Sequence, residues 1–71
     1  MWIRSQDKQI LGDFNFFKLQ RNLRNYAICT NSVSDVYILG EYDNFNTALS
    51  VLDNLQDLLN NETKSIFQMP N

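Results

Sequence analysis

Cys29 is the chain's only thiol, and no histidine stands anywhere among the 71 residues to activate it as a thiolate. The commonest general base and the commonest metal ligand are missing together, which excludes nucleophilic triads and zinc sites built by this chain. Carboxylate pairs remain. Asp53 and Asp57 stand at i and i+4, but on the polar side of a helical pattern, where like charges serve as a solvated face rather than as an acid/base pair. Gly40 is followed by Glu41 and Tyr42 and opens no glycine-rich phosphate loop. Glu41 and Asp43 also lie just before the helix start, and would repel a phosphate from its free N–H groups. The expectation is a protein with no catalytic centre, no metal and no cofactor, and therefore not an enzyme.

One group of residues does have the chemistry of a binding surface. Lys18, Arg21 and Arg24 accompany Phe14, Phe16, Phe17 and Tyr26 across residues 14–26, the mixture used to stack bases and neutralise phosphates. In so small a chain most of those aromatics are expected in the core, and three cations in a protein of net charge −2 make a modest field. Charge is nonetheless uneven. Residues 1–25 hold five cations and two carboxylates, a net +3, whereas residues 26–71 set Lys64 against six carboxylates, a net −5. Such faces attract each other within a fold or between copies.

The elements that must position these residues follow from the apolar pattern. The length leaves room for a single domain, 1–71, with a core near the minimum that stands alone, so self-association is expected. Over residues 44–60, Phe45, Ala48, Leu49, Val51, Leu52, Leu55, Leu58 and Leu59 share one half of a helical wheel. Asn44 suits the N-cap, and Asn60 or Asn61 suits a left-handed end. The rest reads as short strands. Trp2–Gln6 alternates, with Trp2, Arg4 and Gln6 on one side and Ile3 and Ser5 on the other. Ile10 and Leu11 form a second strand before a turn at Gly12 and Asp13, and 14–21 and 26–30 form a hairpin through 22–25. Residues 36–42, apolar on both faces at their start, read as the central strand, and 64–69 as the last strand, stopped by Pro70. The fold class is α+β: an antiparallel meander of about five or six short strands with one long amphipathic helix on one face. The final strand is expected to pair with Trp2–Gln6, closing the sheet.

A lone cysteine in an apolar strand and a start without a charged, then greasy, leader suit a cytoplasmic protein. The longest apolar runs are four residues, far short of the ~20 that span a bilayer, so no membrane partner is expected.

The opening Met1-Trp2-Ile3-Arg4-Ser5-Gln6-Asp7-Lys8, the middle Tyr37-Ile38-Leu39-Gly40-Glu41-Tyr42 with Ala48-Leu49-Ser50-Val51-Leu52-Asp53, and the ending Phe67-Gln68-Met69-Pro70 resemble a family. It comprises small uncharacterised proteins of Gram-positive bacteria, their phages and other mobile elements. The resemblance implies a native start, a complete protein and a bacterial or phage setting; it carries no activity. Arg4 and Gln6 lie in that opening, and either bind something or tie the strand in place, with an Arg4–Glu41 pair as the preferred explanation. The reading that results is a non-enzymatic interaction or accessory protein whose partner is a protein, itself included as a homo-oligomer. The alternative is a nucleotide or nucleic-acid binder, such as a phage-encoded sponge for signalling nucleotides. The candidate contact residues are Arg4, Gln6, Lys18, Arg21, Arg24 and Tyr26.

Overall fold

The computed structural model describes residues 1–32, 34–61 and 66–71. Among them six strands form two sheets, against which one helix packs: β1 (Trp2–Arg4), β2 (Leu11–Asp13), β3 (Lys18–Arg21), β4 (Tyr26–Asn31), β5 (Val36–Tyr42), α1 (Phe45–Asn60) and β6 (Phe67–Gln68). The α+β architecture is the expected one. Part of the expected last strand, residues 64 and 65, lies outside the described residues.

The strands divide into two three-stranded sheets, ordered β2-β1-β6 and β3-β4-β5. The chain's last strand joins its first, as expected, with Ile3 opposite Phe67 and Arg4 opposite Gln68, but the pairing is parallel. Alternation along β1 holds: Ile3 and Ser5 are fully buried while Trp2 and Arg4 face out. Gly12 and Asp13 continue β2 rather than turning, since Gly12 lies opposite Ile3 and Asp13 opposite Trp2. A Cβ at Gly12 would fall 2.6 Å from the Phe14 ring, so that ring can fold back only over a glycine.

β4, not β5, is the central strand of the second sheet. Ala27, Ile28, Cys29 and Thr30 are all buried, whereas Val36 and Ile38 of β5 are exposed. The apolar start of β5 belongs to an edge strand open to solvent on one face, not to a strand covered on both. The register slips between Ile28 and Cys29, which pair with Gly40 and Ile38, leaving Leu39 as an extra residue. That bulge puts Leu39 into the core with Ile28, Tyr42, Ala48, Val51, Leu55, Ile3 and Met69.

Asn44 caps α1, its side-chain oxygen accepting from Thr47 N at 2.8 Å. The other end is not left-handed: Asn61 has φ −90° and its N–H reaches Asp57 O and Leu58 O at 3.1 and 3.2 Å. Of the eight residues expected to face inward, only Ala48, Val51 and Leu55 are buried. Leu52 and Leu58 are half-buried, and Phe45, Leu49 and Leu59 are exposed, because one three-stranded sheet is too narrow to cover half a helix.

The two sheets meet at Gln6. Its backbone N–H donates to Leu39 O at 2.7 Å, its side-chain oxygen accepts from Glu41 N at 2.9 Å, and its Nε2 donates to Glu41 O and Pro70 O at 3.2 and 3.1 Å. Replacing Gln6 by Ala removes three side-chain hydrogen bonds, at about 0.5–1.5 kcal/mol each. The expected loss is roughly 1.5–4.5 kcal/mol in urea unfolding; a midpoint unchanged from wild type would mean that the Gln6 side chain contributes nothing to joining the sheets.

Candidate functional site

The polar opening of the chain is engaged in structure. Ser5 Oγ donates to Asp7 Oδ1 at 2.6 Å and accepts from Ile10 N at 3.0 Å, and Asp7 Oδ1 also accepts from Gln9 N at 3.0 Å. The turn bends through Lys8, the only described non-glycine residue with positive φ, 68°. Arg4 does not pair with Glu41: its Nε donates to Lys8 O at 3.0 Å, while the Glu41 carboxylate accepts from Asn25 Nδ2 at 3.2 Å. The Glu41 backbone is taken instead by Gln6, whose side-chain oxygen accepts from Glu41 N. Gln6 and Arg4 therefore tie the strand in place.

The basic hairpin is formed, with Lys18 opposite Cys29 and Arg21 opposite Tyr26, and with Asn22 N bonded to Asn25 O at 2.9 Å across the turn. Its candidate residues do not converge. Lys18 and Arg21 are three apart on a strand and leave opposite faces, Arg21 and Tyr26 on the helix side and Lys18 on the other. The Tyr26 ring is half-buried and meets Phe45 edge-on, with centroids 5.7 Å apart. Arg24 lies in the turn. Among the described residues the only ion pair is the N-terminal ammonium with Asp13, at 2.6 Å, so neither Arg21 nor Arg24 is paired with a described carboxylate.

The feature that sequence reasoning missed is an apolar groove beside the helix. One wall is Leu52, Leu55 and Leu59 of α1; the other is Phe16 and Phe17, and the space between is about 320 Å³ with Asp53 and Gln56 at its rim. The second wall belongs to no strand but is held at both ends. Phe14 N donates to Met1 O, the N-terminal ammonium reaches Phe14 O, and the buried Thr30 hydroxyl donates to Phe16 O at 2.6 Å. Phe16 is left 53% exposed. The other missed residue is Leu23 at the hairpin tip, 101% exposed between Asn22 and Arg24. The available signal was a leucine inside a turn that otherwise holds Asn22, Arg24 and Asn25.

The remaining chemistry is quiet. Burial pushes the Cys29 thiol up, with Glu41 adding to the shift and Lys18 opposing it. Burial also pushes the Tyr42 hydroxyl up to about 12, so it remains a donor, to Pro70 O at 2.8 Å. Among the described residues no three His, Cys, Asp or Glu side chains stand where they could hold a metal ion, and no helix is long and apolar enough to cross a membrane. No family model, curated protein or solved structure matches the chain.

The Ser5 hydroxyl and then the Gln9 N–H hold the Asp7 carboxyl below its usual 3.8. A depressed carboxylate stabilises the fold above the unfolded value, and that contribution is lost as pH falls through the folded one. Asp7→Asn is therefore expected to lower the urea midpoint at pH 7, with the gap from wild type closing below pH 3.8. A gap of constant size from pH 7 down to pH 2.5 would show that the Asp7 charge contributes nothing.

Proposed function

We propose that this chain is a non-enzymatic interaction protein that docks its exposed apolar surface onto a polypeptide and associates with itself. The setting its sequence resemblance implies is that of an accessory protein of a bacterium or its mobile elements. The observation that carries the reading is a stripe along α1, Phe45, Leu49, Leu52 and Leu59, spaced at three, four and seven residues and so on one side of the helix. It borders the buried stripe of Ala48, Val51 and Leu55, and Phe16 stands across the groove from it. Contiguous apolar surface of this kind on a small protein marks an interaction site.

Size supports the same reading. A stable interface of ~1,200–2,000 Å² in total takes roughly 600–1,000 Å² from each partner, between about an eighth and a fifth of the 5023 Å² that this chain exposes. A core in which, among the described residues, five large apolar side chains are fully buried, Ile3, Ile28, Leu39, Leu55 and Met69, gains in proportion more from such cover than a larger domain does. A nucleotide site on the hairpin is supported less well, since Lys18 and Arg21 diverge and the Tyr26 ring is taken by Phe45.

Sedimentation velocity between ~10 and ~300 μM, a range that spans micromolar dissociation constants, is expected to show a dimer forming with concentration. Leu49→Glu and Leu59→Glu are expected to leave monomers with unchanged helical circular dichroism. A wild-type chain that stays monomeric at the highest concentration overturns the reading.

A further inference from the structure

The hairpin tip and the apolar groove are complementary in apolar character and in charge. The tip is a knob: Leu23 projects with its whole side chain in solvent, Arg21 and Arg24 flank it, and no described residue provides a carboxylate partner for either cation. Asn25 Nδ2 donates to Glu41 at 3.2 Å and anchors the turn to β5, so the knob stands on a fixed base. The groove is the matching hole, with aromatic and leucine walls, about 320 Å³ of space, and Asp53 on the rim. The helix adds Asp57 on its exposed side and carries no basic residue at all.

A chain does not fill its own groove. Phe17 immediately precedes β3 and the turn holding Leu23 follows it, so knob and hole stand at opposite ends of a four-residue strand, roughly 13 Å apart at ~3.3 Å per residue. Two copies laid antiparallel bring each knob to the other's hole, and the exchange closes a two-fold dimer. We infer that the groove formed by Phe16, Phe17, Leu52 and Leu59 receives the hairpin tip of a second copy, Leu23 entering between the walls while Arg24 meets Asp53. This rests on the self-association proposed above and names the contact that makes it.

Leu23→Ser tests the knob with little risk to the fold, because in one protomer that side chain is fully exposed. Its dimer dissociation constant, from sedimentation equilibrium, is expected to rise roughly hundredfold to ten-thousandfold, because each two-fold dimer loses two leucines from apolar pockets. Arg24→Glu and Asp53→Lys are each expected to weaken the dimer. An equimolar mixture of the two is expected to restore it as a heterodimer, since one of its two contacts is native and the other has both charges reversed. Wild-type association that survives Leu23→Ser unchanged, or a mixture no tighter than its separate components, overturns the tip-in-groove contact and leaves self-association standing. A monomeric wild type removes both.

Discussion

The structure depends on one side chain acting as a short piece of strand. β5 is an edge strand, and an edge leaves backbone N–H and C=O groups that must find partners or water. The Gln6 amide has the same donor and acceptor as a peptide group, and it pairs with the N–H and C=O of Glu41 as a neighbouring strand would. Its own N–H reaches Leu39 O, and its remaining amide hydrogen reaches Pro70 O. The first strand, the free edge of the second sheet and the last residues of the chain thus meet on one residue. Ser5 secures the same junction from below: it is fully buried, and its carbonyl accepts from Gln68 Nε2 at 3.0 Å.

Around that junction the core is fitted closely. A Cβ at Gly40 would fall 2.8 Å from the Tyr42 hydroxyl, so the ring lies flat along β5 only because position 40 has no side chain. The ring then reaches Pro70 O with its hydroxyl, and the bulge at Leu39 turns a second large side chain toward the helix beside it. Met69, also fully buried, has its N–H bonded to Arg4 O and lies against the same cluster. The bulge, the glycine and the glutamine are one device for seating the chain's last segment against its first.

How much of this was legible depended on the range over which each feature is encoded. Helix α1 and its Asn44 cap are written in consecutive residues, as is the alternation that buries Ile3 and Ser5, and these appear at their expected places. The Gln6 junction is not, because its partners lie 35 and 64 residues away and a glutamine facing the polar side of a strand looks like surface. The bulge was equally hidden: an extra residue changes which face a side chain takes without changing its type. The candidate binding residues failed to converge for a related reason. Lys18 and Arg21 are neighbours in composition, but a strand's two-residue period sends them to opposite faces.

The helix shows where a correct sequence pattern overstates burial. Half of its circumference is apolar, but a helix with its side chains is ~10–12 Å across and three strands spaced ~4.8 Å apart make a floor of about that width. Such a floor covers the stripe that rests on it, Ala48, Val51 and Leu55, and cannot also wrap the flank of Phe45, Leu49, Leu52 and Leu59. The other sheet, β2-β1-β6, lies at the Gln6 junction, and among the described residues its buried Ile3 joins the core beside Ala48, Val51 and Leu55 while the flank stays open. The apolar flank is thus a consequence of dividing six short strands between two sheets. A continuous six-stranded floor would have covered that flank and excluded water from it.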